Sequence, residues 1–67
     1  MNWVTVKSSR IKAVFYDEIN KKAYIKFNND VVYVYNNVSK DVFDMFIKSP
    51  SLGKAIYLLG KNYLKFQ

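Results

Sequence analysis

The sequence lacks cysteine and histidine, two residues that often carry chemistry in proteins. Without cysteine the chain has no disulfide to stabilise a small fold and no thiolate to hold zinc. Without histidine it has neither the commonest general base nor the commonest metal ligand. One proline and two glycines in 67 residues leave no linker and no glycine-rich phosphate loop. These absences favour a single non-enzymatic domain over residues 1–67, with no metal and no cofactor.

Acidic residues are also scarce, because five carboxylates stand against eleven cations and give a net charge of +6. Arg10 is the only arginine among those cations. A basic chain favours an acidic partner such as nucleic acid, although a solvated lysine surface explains the same composition. No apolar run reaches the ~20 residues of a membrane span, and the N-terminus has no signal-peptide pattern. We therefore expect a soluble cytoplasmic protein without a membrane partner.

Three segments alternate between apolar and polar side chains, as strands with one buried face do. They are Ile11–Asp17, Lys22–Phe27 and Val31–Val38, and short turns separate them. The chain ends, "WVTV" and "NYLKFQ", alternate more briefly and suit a short additional strand at either terminus. The alternation therefore predicts an antiparallel β-meander of three main strands.

Beyond the third strand the apolar period changes to that of a helix. Ser39 is a good N-cap, and apolar residues recur at helical spacing as far as Ile47. Ser49 and Pro50 predict a second helix, with the serine as its cap and the proline at its first position. Gly60 can end that helix. The order of elements predicts a two-layer α+β domain, in which both helices cover one face of the meander.

The alternation also predicts how the strands pair. A two-residue turn at Asn29 and Asp30, with a three-residue loop at 18–20, makes one face of the meander wholly apolar. The opposite face then carries a set of tyrosine and lysine side chains. These predicted nucleic-acid-binding residues are Tyr16, Tyr24, Tyr33, Tyr35, Lys12, Lys22 and Lys26.

Aromatic rings among cations on an open sheet have the chemistry on which single-stranded bases stack. A purely structural alternative stands beside this one. Tyrosine packs well across strands, and lysine stems commonly lie over apolar surface. The rings of Tyr63 and Phe66 in the tail can also fold over part of the same face.

Short motifs occur in a fixed order along the chain: "VKSSRI" from Val6, "YD" at Tyr16, then Phe27, "YVY", and a serine–glycine element before a final aromatic residue. Together they resemble the KTSC domain, a module of about this length. That domain occurs at the C-terminus of some lysyl-tRNA synthetases and as a stand-alone bacterial or phage protein. The resemblance extends from Val6 to Tyr63. Its motif positions are Ser8, Ser9, Tyr16, Asp17, Phe27, Tyr33, Tyr35, Ser51 and Gly53.

The resemblance implies the family's small fold and suggests RNA binding. The chain departs from the family pattern at Asp30, where glycine is usual, and at Val38 and Ser39, where Val-Pro is usual. It also reads Ala-Ile-Tyr from Ala55 where the family usually has a Phe-Asn pair.

Two functions follow from the sequence. The leading expectation is a small module that binds RNA or another single-stranded nucleic acid through the Tyr/Lys face. The alternative is a protein-interaction module, in a phage or prophage setting. A weak homodimer is expected as well, because the predicted elements leave several large apolar side chains without a place. Those side chains are Trp3, Tyr57, Leu58, Leu64 and Phe66.

Overall fold

The structure is a computed structural model that describes residues 2–66. One antiparallel sheet contains five strands in the order of the sequence. The strands and helices are β1 (Val4–Thr5), β2 (Ile11–Asp17), β3 (Lys22–Phe27), β4 (Val32–Tyr35), α1 (Lys40–Ile47), α2 (Leu52–Ala55), a 3₁₀ turn (Ile56–Leu59) and β5 (Tyr63–Lys65). The predicted α+β meander with two helices is confirmed. The sheet is wider than its three main strands because both ends of the chain add an edge strand.

The start of α1 matches its prediction, since the Ser39 hydroxyl accepts a hydrogen bond from the backbone N–H of Val42. The predicted start of the second helix is wrong. Ser51 precedes α2, and the Ser49 hydroxyl instead accepts from the backbone N–H of Ser51 at 3.3 Å. This local turn takes up the segment around the proline, so the helix begins only after it. The 3₁₀ turn ends at Gly60, whose φ is 90°.

The predicted register of the two main hairpins is also wrong, and by the same amount in each. In the second hairpin the backbone N–H of Phe27 donates to the carbonyl of Val31 at 2.9 Å, so the loop has three residues rather than two. Its last residue, Asp30, has φ 67°, which is typical of a three-residue loop that closes with a left-handed residue. In the first hairpin Asp17 pairs with Lys22, which leaves four loop residues rather than three.

A shift of one residue moves every side chain of a strand to the other face of the sheet. β3 keeps its predicted orientation, because Ala23 and Ile25 are fully buried against the helices. Relative to it, β2 and β4 are turned over along most of their length. The side chains of Tyr16, Tyr33 and Tyr35 therefore lie on the helix side, and those of Phe15, Val32 and Val34 lie on the opposite side.

A β-bulge at Lys12 reverses the alternation once more and returns Ile11 to the helix side. Ile11, Ile25 and Phe46 are at most 1% exposed and form the centre of the core between the sheet and the helices. Within residues 2–66, no helix is long and apolar enough to cross a bilayer.

Candidate functional site

The predicted Tyr/Lys face does not form as one surface. Tyr35 is only 5% exposed and belongs to the core cluster. Tyr16 stacks on the Phe43 ring at 4.6 Å, and its hydroxyl donates to the carbonyl of Val38 at 2.6 Å. Tyr33 is half-buried and packs against the core. The prediction that these three tyrosines share an open face is therefore wrong, because each hairpin loop is one residue longer than assumed.

The lysines and the fourth tyrosine of that predicted set do not lie with these three tyrosines on the helix side. Tyr24, Lys22 and Lys26 lie on the side of the sheet away from the helices, as predicted. The Lys26 amine sits 4.7 Å from the centre of the Trp3 ring. Lys12, at the bulge, forms an ion pair with Asp30 in which Nζ lies 2.6 Å from Oδ1.

An open groove of about 540 Å³ lies on the helix side of the sheet, next to the second hairpin loop. Two cations, Arg10 and Lys65, line it together with the aromatic rings of Phe27 and Tyr33. The two rings meet edge to face with centroids 5.8 Å apart. We call this the Arg10 groove. Its complete lining is Arg10, Phe27, Asn28, Asn29, Val31, Tyr33 and Lys65.

Arg10 is held in place by the segment before it and by α2. The Ser8 hydroxyl accepts hydrogen bonds from the backbone N–H groups of Arg10 and Ile11, at 3.2 Å each. The Arg10 guanidinium donates to the carbonyl of Gly53 at 3.4 Å. A Cβ at position 53 would lie only 2.9 Å from the Arg10 Cδ. The arginine stem thus crosses α2 at the one place where the helix has no side chain.

The second hairpin loop supplies two amide side chains to the groove. The Asn28 amide donates to the carbonyl of Ser9 at 2.8 Å, which ties this loop to the segment that carries Arg10. The Asn29 amide oxygen accepts from the backbone N–H of Val31 at 3.1 Å, and the NH₂ group of the same side chain takes no part in that hydrogen bond. Both side chains therefore contribute a polar atom beside the aromatic rings.

Tyr33, which lines the groove, belongs to a row of three neighbouring tyrosine rings. The ring of Tyr63, from β5, stacks on Tyr33 at 5.5 Å and contacts Tyr35 at 5.0 Å. Burial raises the pKa of the Tyr35 hydroxyl, and the neighbouring hydroxyls of Tyr63 and Tyr33 raise it further. Arg10 acts on that pKa in the opposite direction, so its guanidinium lies within electrostatic reach of the cluster.

The groove is electropositive because its lining has two cations and no carboxylate. Across residues 2–66 the ion pairs are Lys12–Asp30 and Lys40–Asp44, so neither Arg10 nor Lys65 has an acidic partner there. In that same part of the chain, no cluster of three potential metal ligands occurs. Cations, aromatic rings and amides together suit a planar ligand that carries negative charge.

Most of the motif positions predicted from the family resemblance surround this groove. Phe27 and Tyr33 line it, Ser8 and Gly53 hold Arg10, and Ser9 anchors the loop. Of the other motif residues, Tyr35 and Tyr16 pack in or against the core, and Asp17 and Ser51 shape the backbone elsewhere. The Asp17 carboxylate accepts from both the backbone and the side chain of Asn20 in the first hairpin, and the Ser51 carbonyl accepts from the backbone N–H of Ala55 in α2.

Sequence reasoning missed Arg10, Lys65 and the two asparagines as site residues. A signal was present for Arg10, which is the only arginine and stands directly after the motif serines. Lys65 had no such signal, because its position depends on the tail pairing with β4, where Lys65 lies opposite Tyr33.

Comparisons with known proteins agree on one family. The sequence profile of the KTSC domain matches residues 7–58. The fold is similar to the crystal structure of a KTSC domain protein from Yersinia pestis, with 26% sequence identity and a TM-score of 0.87. That alignment covers 98% of this chain and 97% of the other. No curated protein matches significantly. The chain, whose motif residues gather around the Arg10 groove, belongs to the KTSC domain family.

Proposed function

We propose that this protein is a non-enzymatic module that binds single-stranded nucleic acid, with RNA as the expected ligand, through the Arg10 groove. The observation that carries the proposal is the meeting of Arg10 and Lys65 with the rings of Phe27 and Tyr33 in a groove without carboxylates. Cations attract phosphates, and exposed parts of aromatic rings stack on bases.

The groove favours a single strand over a duplex. A base reaches Tyr33 only if its own face is free, and stacking in a duplex covers that face. The amides of Asn28 and Asn29 lie next to the rings and offer hydrogen bonds to a base edge, as side-chain amides do in direct readout. The lining has no carboxylate, imidazole or thiol, which supports binding rather than acid–base catalysis.

The test is fluorescence anisotropy with short single-stranded RNA, single-stranded DNA and duplex DNA at two salt concentrations. We expect the single strands to bind more tightly than the duplex, and binding to weaken as salt rises. Equal affinity for duplex DNA would indicate a general lysine-surface effect and contradict a role for the rings.

Two matched pairs of variants locate the binding site. Arg10→Gln should weaken single-strand binding about tenfold and reduce the salt slope by about one unit. Lys48→Gln removes the same charge at the end of α1 and should change little. Tyr33→Leu should also cost about tenfold, since a stacked base contributes ~1–3 kcal/mol, whereas Tyr57→Leu, 75% exposed on the 3₁₀ turn, should not. If the two variants of each pair lost the same affinity for the single strand, the binding site would lie outside the groove.

A further inference from the structure

The side of the sheet away from the helices is apolar, although nothing among residues 2–66 covers it as a second layer. In a two-layer domain this side is usually polar. Here it carries five large side chains, which come from β2, β3 and β5, from the residue after β5 and from the segment before β1. We call it the aromatic face, and its members are Trp3, Phe15, Tyr24, Leu64 and Phe66.

The aromatic face has a tightly packed floor and an exposed outer layer. Val32 and Val34 form part of the floor and are 1% and 9% exposed. Above them the Tyr24 ring meets Phe15 at 5.7 Å and Phe66 at 5.3 Å. Leu64 and Phe66 remain 67% and 50% exposed. A contiguous patch of this kind on a small domain typically marks an interface.

The charges on this face favour a protein over a nucleic acid. The Lys26 amine is already engaged over Trp3, and Lys22 lies opposite Asp17 in the register. Phosphates would therefore meet cations that have other partners, and bases would meet aliphatic side chains as well as rings. An apolar surface on another protein can use the whole patch.

We propose that the occupant is a second copy of this chain, with the two sheets packed face to face about a two-fold axis. The molecule measures 27 × 25 × 22 Å between its outermost Cα atoms. A rectangle that encloses one whole side therefore has an area of about 550–675 Å², below the ~800 Å² that each partner buries in a standard interface. An interface of this size supports a weak dimer.

One orientation of the axis keeps the Lys26 amines of the two copies apart. Asp17 stands at one end of the strands on this side, and Lys26 stands nearer the other end, by the register. An axis that lies in the interface and runs across the strands places the Asp17 end of one copy over the Lys26 end of its partner. The same axis sets β5 of one copy over β5 of the other, so the two Leu64 side chains come close together. Sheet-on-sheet packing at a small angle is a common arrangement.

This proposal is independent of the nucleic-acid site, because the Arg10 groove lies on the helix side of the sheet. The two interactions also respond differently to salt. Screening the +6 charge should strengthen the dimer, whereas it weakens attraction to phosphates.

The experiment is sedimentation velocity across protein and salt concentrations, with Trp3 fluorescence as a local reporter. We expect reversible dimerisation in the micromolar range, with the emission of Trp3, the only tryptophan, shifting to shorter wavelength as the dimer forms. Leu64→Glu should weaken the dimer at least tenfold. Tyr57→Glu introduces the same charge at an exposed apolar residue on the helix side and should leave the dimer intact.

Cross-linking tests the arrangement, because the chain has no native cysteine to interfere. A short thiol-to-thiol linker should join two copies of Leu64→Cys and should not join copies of Tyr57→Cys. A monomer at all micromolar concentrations would overturn the proposal. A dimer that Tyr57→Glu disrupts and Leu64→Glu does not would equally overturn it, since it would use the helix side.

Discussion

The two sides of the sheet both carry aromatic rings, but the rings have different neighbours. On the helix side the rings of Phe27 and Tyr33 stand beside Arg10 and Lys65, with no acid in the groove that they line. On the other side the rings stand over buried valines, and the Lys26 amine covers Trp3. Aromatic content alone therefore does not indicate a ligand. We therefore base the two proposals on the charges next to the rings: nucleic-acid binding where cations have no acidic partner within residues 2–66, and a protein interface where they have other partners.

The largest expected effect tests which tyrosines lie on which side. Tyr35→Ala should lower the free energy of unfolding by about 3–5 kcal/mol, because it removes a buried ring from the core. Tyr24→Ala should cost about 1–2 kcal/mol, because that ring is half-exposed. Urea unfolding of both variants measures the difference. Equal costs would contradict the observed register and match the predicted one, in which both rings lie on the open face.

The difference between the predicted and the observed register shows how much of the fold could be predicted from the sequence. The periods of two and of about 3.6 residues identify three strands, the α1 helix and the α+β layers correctly. They do not determine the strand pairing to within one residue. Phe15, Val32 and Val34 could fill the core as well as the tyrosine rings that occupy it. Since both faces of this sheet bury apolar side chains, the usual penalty against a slip is small here.

Loop chemistry contained the missing information. Asp30 stands where the family usually has glycine, the residue that best tolerates the positive φ of 67° found there. That substitution pattern indicates a three-residue loop, which would have given the correct register for β4. The candidate site is harder to predict from sequence. Arg10, Phe27 and Gly53 come together only through the bulge at Lys12 and the position of α2.

The next prediction concerns the geometry of the groove. Gly53→Ala should favour the helix by up to ~1 kcal/mol through intrinsic propensity, but its Cβ would meet the Arg10 Cδ at 2.9 Å and displace that side chain. We therefore expect little change in stability and a loss of single-strand affinity of about fivefold to tenfold. In an Arg10→Gln background, the same substitution should have almost no further effect on affinity. Full additivity of the two losses would show that Gly53 acts independently of Arg10.

A smaller effect distinguishes the two possible lengths of the first hairpin loop. Lys21 has φ 54° and lies inside the four-residue loop, so Lys21→Gly should stabilise the fold by about 0.5–1 kcal/mol. Lys22 begins β3, and Lys22→Gly should destabilise it by a similar amount, since glycine is unfavourable in a strand. Both changes remove one positive charge, so each is the control for the other. A destabilising Lys21→Gly would indicate that residue 21 belongs to the strand.

The smallest expected effect appears only in alkaline solution. It concerns the tyrosines that are packed on the helix side of the sheet. Burial raises the pKa of Tyr35 above 10.0, and burial followed by the charge of Glu18 raises that of Tyr16. A phenol whose pKa is higher in the folded state than in the unfolded state favours folding as long as both states are protonated. That contribution is complete below pH 10 and is lost as the pH rises through the folded-state pKa.

We therefore expect stability to fall above about pH 10, and Tyr35→Phe to remove part of that fall. Tyr57→Phe, which removes the same hydroxyl from an exposed ring, is the matched variant. Urea unfolding across this range measures the slopes, and tyrosinate absorbance follows the titration itself. If Tyr35→Phe and Tyr57→Phe changed the slope equally, the Tyr35 hydroxyl would have no protected environment in the folded state.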